Sequence, residues 1–335
     1  MADAFLSLPD AERREALEFA AARSGRPAHL LEKDVWVVWA LGAVFGSVLG
    51  EHLVFKGGTS LSKAYKVIRR FSEDVDLTYD IRALAPDLVA GAAEALPTTR
   101  AEERRWSADI RKRLPVWVSD TALPIIATAL AKQGSPATAR AEAEKIFIAY
   151  QPIAIGSGYV RPEVLLEFGA RSTGEPNSLR KVECDAAEWI EEIDFPTALP
   201  RVMRAERTFW EKATAIHVFC LQQRLRGERF SRHWHDIARL NEAGVANAAF
   251  VDRDLAQAVA RHKTMFFAEN GADGQAIDYH AAVGGSLRLV PVGPALKALA
   301  EDYAQMVADG LLLNEAETFD ALMARCRELE TRANA

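Results

Sequence analysis

Apolar residues recur at helical spacing through residues 10 to 23 and again through 29 to 46, with "SGRP" at Ser24 to Pro27 breaking the two runs. Two helices are predicted at the start of the chain. The second contains the most apolar stretch, "VWVVWALGAVFGSVL" from Val35 to Leu49. It is shorter than the roughly 20 residues a bilayer span needs, so it predicts a buried helix and no membrane partner. "HLVF" at 52 to 55 then reads as a short strand and Gly57-Gly58 as a turn. Thr59 to Arg70 reads as a helix opened by Thr59 or Ser60 as N-cap, and "DVDLTY" from Asp74 returns as a strand. The predicted unit is strand, glycine turn, helix, strand.

From about Leu84 to Lys145 the composition shifts to Ala, Arg and Glu, which predicts a helical insertion. "KIFIAYQPIAI" (145 to 155), "EVLLEFGAR" (163 to 171) and "LRKVECDAAEWI" (179 to 190) are β-rich and separated by Gly and Pro, as expected of strands extending the sheet begun at Val54. After Pro200 the pattern is almost entirely helical, with turns marked by Gly244, Asn270 to Gly274 and Gly284-Gly285. No internal repeat is present. The expected class is α+β with a mixed sheet. Residues 1–200 form the core, with its helical insertion at about 84–145, and residues 201–335 form a helical C-terminal domain.

Composition narrows this little. The 335 residues are 49% hydrophobic and 26% charged, ordinary for a globular chain. A net charge of −6 removes the global basic excess of a nucleic-acid binder but leaves room for a local patch. One candidate is "RAEERRWSADIRKR", where Arg100, Arg104, Arg105, Arg111, Lys112 and Arg113 crowd together. It reads either as a solvated helix face or as a contact for RNA or a nucleotide tail. Cys184, Cys220 and Cys326 are odd in number and far apart, so neither a disulfide framework nor a metal knuckle is written here. Met1 to Arg14 lacks the segments of a signal peptide, and a reducing cytoplasm is the expected location.

Chemistry enters with Asp74 and Asp76. On a strand they share one face, with Val75 and Leu77 on the other. Two carboxylates so close repel unless a cation sits between them or one is protonated. Hard oxygen ligands of this kind suit Mg2+, with Mn2+ as the alternative ion, and Mg2+ keeps water and substrate phosphate as its other ligands. Beside Gly57-Gly58 the backbone N–H groups at the helix start would let a triphosphate approach. The plainer alternative is a hairpin followed by an edge strand whose aspartates keep it soluble. No P-loop competes. A third carboxylate is expected from a neighbouring strand: Glu167 in "VLLEFG", with Glu183 and Asp185 as rivals, each equally able to serve a structural ion pair.

Further on, Thr208 and Glu211 in "ERTFWEK" read as a capping box. Lys212 would then fall in the first turns of its helix, where a cation is unfavourable unless an anion docks there. Such an anion would be the triphosphate or the leaving pyrophosphate. "RFSRHWHDIARL" holds Arg229, Arg232, His233, His235 and Asp236. On a helix the two histidines diverge by about 200°, which argues against zinc. His235-Asp236 also matches the dipeptide of HD phosphohydrolases, although His217 alone does not supply the remaining histidines.

In this order, "EKDVWVVWAL", "FKGGTSLSKAYKVIRRFSEDVDL", "LLEFGAR", "ERTFWEKATAIH" and "RFSRHWHDIARL" resemble the AbiEii/AbiGii nucleotidyltransferase toxins of type IV toxin–antitoxin and abortive-infection systems. The resemblance runs from about Glu32 to Leu240. It implies a polymerase-β-like nucleotidyltransferase core, Mg2+-dependent, that moves a nucleotide from an NTP to an acceptor. That acceptor would be RNA such as a tRNA end, and a cognate antitoxin would be a partner. On this chain, Gly57, Gly58 and Ser72 through Asp76 match the first motif, Lys212 the lysine motif and Asp236 the final acidic one, with Arg70 and Arg232 beside them. The implied roles are Asp74, Asp76, Lys212 and Asp236 in catalysis, with Asp236 orienting Lys212 or Arg232 or assisting proton transfer. Asp74, Asp76 and Glu167 would hold the metal, and Gly57, Gly58, Thr59, Ser60, Arg70, Ser72 and Arg232 the substrate. A phosphate on Ser72 would compete with substrate phosphate. Residues 84–145 and those beyond 245 carry no motif to align. Two other classes stay open: a nucleotide-binding regulatory module without transfer, and an HD-type phosphohydrolase.

Overall fold

The computed structural model describes residues 3–68, 70–72, 74–134, 136–154, 156, 161–223, 230–308, 310, 312 and 316–335. They divide into two compact units. The first comprises Met1–Ala64, Ser72–Ala90 and Trp106–Met203; the second comprises Tyr65–Phe71, Gly91–Arg105 and Arg204–Ala335. Both belong to a chain of mixed α+β class.

In the first unit the described strands form a sheet of β1 (Leu53–Lys56), β2 (Asp74–Tyr79), β3 (Thr138–Glu142), β4 (Lys145–Ala149), β5 (Glu163–Gly169), β6 (Asn177–Leu179) and β7 (Arg201–Met203). Their order is β3-β4-β5-β2-β1-β7-β6. β2 runs parallel to β5 and β1 parallel to β7, while the other neighbours are antiparallel, so the sheet is mixed. Its helices are α1 (Asp10–Ser24), α2 (Ala28–Phe45), α3 (Gly57–Lys63), α4 (Arg100–Trp117) and α5 (Leu123–Gln133), with α4 starting in the second unit. α1 ends on Gly25 in the left-handed conformation (φ 72°), a glycine C-cap, and Pro27 precedes α2. α2 is buried on nearly every side from Leu31 to Leu41 and stacks Trp36 on Tyr150, as an apolar core helix does.

Some sequence expectations shift. Thr138–Glu142 lies where a helix was expected and forms strand β3, whose residues alternate only between exposed and half-buried. An edge strand with polar faces has no hydrophobic alternation to give it away. Arg201–Met203, expected to be helical, is a three-residue strand between β1 and β6. The helix expected over Thr59 to Arg70 is α3, only seven residues long; it starts at Gly57, and Lys56 before it makes no side-chain cap. Beyond it Lys66 takes a positive φ of 55°. α4, a π turn at Val118–Ala122 and α5 make one 34-residue run that is long and apolar enough by composition to cross a membrane. Yet Leu114, Val118, Ala122, Ile126 and Leu130 form a stripe buried in the fold.

The second unit is helical from Ala205 on: α6 (Ala205–Gln222), α7 (Arg232–Glu242), α8 (Val245–Val251), α9 (Arg253–Phe266), α10 (Gly293–Ala308) and α11 (Phe319–Ala333). Trp210 and Trp234 are fully buried and donate their indole N–H to the carbonyls of Ala249 and Leu289. All three cysteines are buried and unoxidised: Cys184 in the first unit, Cys220 and Cys326 in the second.

α3 is anchored at its end. Lys63 is buried between the carboxylates of Asp34 (2.5 Å) on α2 and Asp185 (2.7 Å). Asp34 also accepts the backbone N–H of Asp185 at 2.6 Å, and Arg26 pairs with the same Asp185. Neighbouring Glu32 accepts the backbone N–H groups of Ile153 (2.9 Å) and Ala154 (3.0 Å). Burial pushes the Asp34 carboxyl above its ordinary value in spite of Lys63. A pair of this kind is costly to break on one side and cheap to replace whole. Asp34→Ala should therefore lower unfolding stability by about 3 kcal/mol or more, while Asp34→Leu with Lys63→Met should recover most of that loss. Urea melts of the two variants against wild type check this; equal midpoints for wild type and Asp34→Ala would refute it.

Candidate active site

β2 presents its aspartates by simple alternation. Val75 and Leu77 are fully buried, whereas Asp74 and Asp76 are half-buried on the opposite face. Asp76 stands in register with Lys56 on β1 and with Glu167 on β5, and Glu167 in turn faces Lys145 on β4. Paired residues share a face, so one row across four strands reads Lys56, Asp76, Glu167, Lys145. Lys145 and Glu167 form an ion pair of 3.2 Å. Of the three candidates for a third carboxylate, Glu167 is the one beside Asp76 in the sheet. Glu183 lies in a separate two-stranded sheet and pairs with Lys181 at 2.6 Å, and Asp185 is held by Lys63 and Arg26.

The glycine pair has a definite steric role at its first member. Gly57 has φ +76°, and a Cβ built there would sit 2.8 Å from Asp76 Cγ and closer still to its Oδ2. The Asp76 carboxylate thus occupies the space a side chain at 57 would fill. Thr59 and Ser60 are fully buried. Thr59 Oγ1 donates to the Asp74 carbonyl at 2.6 Å and lies 2.9 Å from Ser72 Oγ, while Ser60 Oγ donates to the Gly57 carbonyl at 2.9 Å. These hydroxyls brace the loop from within, although the sequence placed them in the phosphate cradle. Since α3 has only seven residues, what it offers an anion is the backbone around Gly57 and Gly58 and little macrodipole.

The second unit holds a cluster of its own. Asp236 on α7 is completely buried and is held bidentately by Arg70, Nε to Oδ1 at 2.7 Å and Nη2 to Oδ2 at 2.8 Å. Lys212 on α6 reaches the same Oδ2 at 2.9 Å. Burial alone would raise the Asp236 pKa, but Arg70 and Lys212 outweigh it and hold the carboxyl far below the ordinary range. Two cations share one carboxylate. The Lys212 ammonium has three N–H donors, and Asp236 is its one acceptor among the described residues.

Two details differ from the sequence expectation. α6 begins at Ala205 after Arg204, so Thr208 is not a cap: its hydroxyl points back to the Arg204 carbonyl at 3.4 Å, and Glu211 pairs with Arg207 at 3.2 Å. Lys212 consequently sits two turns into the helix, where no dipole penalty acts. Arg232 is exposed at the start of α7, and the guanidinium on Asp236 is that of Arg70. Nothing in the sequence pattern names Arg70 as that partner, because 166 positions separate them. Glu73 and Arg229 lie outside the described residues.

No group of three or more His, Cys, Asp or Glu among the described residues is arranged to hold a metal ion. Mg2+ does not require one, since it binds through one or two carboxylates and takes the rest from phosphate and water. Asp74 and Asp76, on one face beside a glycine that leaves room for a carboxylate, fit that limited donor set. An HD-type centre fares worse: Asp236 is already occupied by two cations, and His235 is buried with neither ring nitrogen bonded among the described residues.

The family model described as "Nucleotidyl transferase AbiEii toxin, Type IV TA system" matches residues 39–325. Among solved structures the chain is similar to MenT4, nucleotidyltransferase toxin Rv2826c from Mycobacterium tuberculosis H37Rv, at 15% identity and a TM-score of 0.47, over 98% of this chain and 94% of that one. No curated protein sequence matches the chain.

Gly57→Ala should force Asp76 aside and strain the backbone. The left-handed conformation alone costs about 1–2 kcal/mol, so its urea midpoint should fall below wild type; an unchanged midpoint would show that the carboxylate yields freely. Three histidines of the second unit, His217, His233 and His235, set a pH dependence, burial pushing His233 well below its ordinary value. Burial lowers His217 and His235 to about 4 each, the nearby arginines Arg288 and Arg70 adding to the shift. The folded state therefore binds fewer protons than the unfolded one between about pH 4 and 6.5. Stability should be full above about pH 6.5 and decline toward pH 4, by up to roughly 3 kcal/mol per histidine. The decline should shrink in His235→Gln, and urea melts across that range giving parallel profiles would contradict it.

Proposed function

The chain belongs to the AbiEii family of nucleotidyltransferase toxins of type IV toxin–antitoxin systems, and on that footing we propose that it transfers a nucleotide from an NTP to RNA in the cytoplasm, with a tRNA end as acceptor. The product would arrest growth or abort phage infection, and a cognate antitoxin would restrain it. What carries the proposal is the Asp74–Asp76 face packed against a glycine that has no room for a side chain. That arrangement concentrates negative charge beside open backbone, which is of use to a phosphate only if a cation joins it.

Asp74 and Asp76 are the groups that would hold a divalent ion, Mg2+ or Mn2+, which when bound would neutralise the triphosphate and orient its α-phosphate. Glu167, in register beside Asp76, supports the same field. The backbone at Gly57 and Gly58 receives the phosphates, with Thr59, Ser60 and Ser72 bracing the loop that carries it. Lys212 takes the phosphate charge as pyrophosphate leaves, through the N–H donors that Asp236 does not use. Asp236, kept ionised between Arg70 and Lys212, suits a positioning role over proton transfer. Arg232, exposed on α7, is left to the substrate's outer part. Phosphoryl chemistry asks little more of a protein than such positioning and charge.

Purified protein incubated with each labelled NTP and total RNA should label RNA with one or more of them. Asp74→Ala should lower that labelling by roughly 100-fold or more. Equal labelling by wild type and variant removes the aspartate pair from the chemistry, and NTP binding without any product would favour a regulatory module.

A further inference from the structure

The crowded arginines at the start of α4 have no place in the chemistry above, yet they border a cavity of about 730 Å3 that lies wholly within the second unit. Arg100, Glu103 and Arg104, within one turn of α4, form one wall; Gln222, Glu269 and Asn270 supply the others. Arg100 gives one N–H to the Met265 carbonyl at 2.8 Å, and Arg104 makes no hydrogen bond or ion pair with any described residue. Gln222 is fixed by its Nε2 on Glu269 (3.1 Å) and on the Asn270 carbonyl (3.0 Å), and its Oε1 has no donor among the described residues. A second cavity of about 300 Å3, also within this unit, shares Thr264 with the first. Phe267, the chain neighbour of the lining residue Ala268, is 42% exposed, with the Lys263 ammonium 4.8 Å from its ring centroid.

A site for a simple anion would not set Glu103 between its arginines and Glu269 on another wall. Mixed walls suit a nucleotide instead, with arginine on phosphate and carboxylate or amide oxygen on the amino edge of a base. An exposed aromatic ring beside a cation suits the stacking of an unpaired base. Two adjoining cavities suit a strand better than a single small molecule. We propose that these adjoining cavities bind a single-stranded RNA end, Arg100 and Arg104 gripping its phosphates and Phe267 stacking a base. In substrate terms this rests on the reading that RNA is the acceptor, but binding requires no NTP and can be read without it.

The test uses the full-length protein, a short fluorescein-labelled single-stranded RNA and no NTP, with anisotropy followed as salt is varied. Arg100→Gln with Arg104→Gln should weaken binding about tenfold or more and reduce the slope of log K against log salt by about 1.4, two phosphate contacts at about 0.7 each. Phe267→Ala should weaken binding roughly fivefold or more and leave the slope unchanged. Wild-type protein that labels no RNA with any NTP, while still binding single-stranded RNA through the arginines, would overturn the transferase proposal and leave the cavity standing. Both cavity variants binding RNA with wild-type affinity and slope, while melting at the wild-type temperature, would overturn the cavity. So would a wild-type protein that captures duplex RNA or a protein acceptor but no single strand.

Discussion

Asp76 can lie against residue 57 because that residue has no Cβ and because its φ of +76° turns the chain back onto β2. From this one approach the rest of the loop follows. Thr59 and Ser60 must bury their hydroxyls to hold so tight a return, and they do so on the carbonyls of Asp74 and Gly57. Lys63, at the other end of the same short helix, is clamped by two carboxylates that belong to α2 and to the turn at Asp185. A seven-residue helix has little stability of its own, so its direction is set by what grips its ends.

The two buried acids of this protein solve opposite problems. Asp34 is matched by one lysine and still has its pKa raised by burial, so its pair fixes geometry more than it stabilises the fold. Asp236 is matched by a bidentate arginine and a lysine and has its pKa lowered well below normal, so its charge is secure. An acid of the second kind is suited to holding other groups in place. Lys212, drawn to Asp236 by a single oxygen, keeps its position while retaining donors for another anion.

Much of the first unit was legible in the sequence. The strand, glycine turn, helix, strand order and the facing of Asp74 and Asp76 follow from period-two and period-3.6 patterning alone, and the buried α2 follows from its unbroken apolar run. Helix ends were less legible. α3 ends at Lys63, whose ammonium is bound to residues 29 and 122 positions away, a partnership no local signal encodes. Thr208 and Glu211 spelled a capping box by spacing, but Ala205 already begins the helix and their partners lie within it. β3 carries no strand signal because an exposed edge strand alternates only between exposed and half-buried positions, with alanine as its one apolar residue type. Glu167, Glu183 and Asp185 looked equivalent in one dimension; only strand register sets the first beside Asp76. The partnership of Arg70 with Asp236 belongs to the same class of fact.

The cysteines described with the fold carry a practical corollary. Burial pushes the Cys184 thiol up, Cys220 up to about 12 and Cys326 higher again, and Cys184 is further tied to the Pro196 carbonyl at 3.2 Å. None offers a thiolate to an alkylating reagent while its surroundings stay closed. With one such sulfur in the sheet-bearing half and two in the helical half, thiol modification becomes a clock for transient opening, and mass spectrometry of the modified peptides would time each half separately.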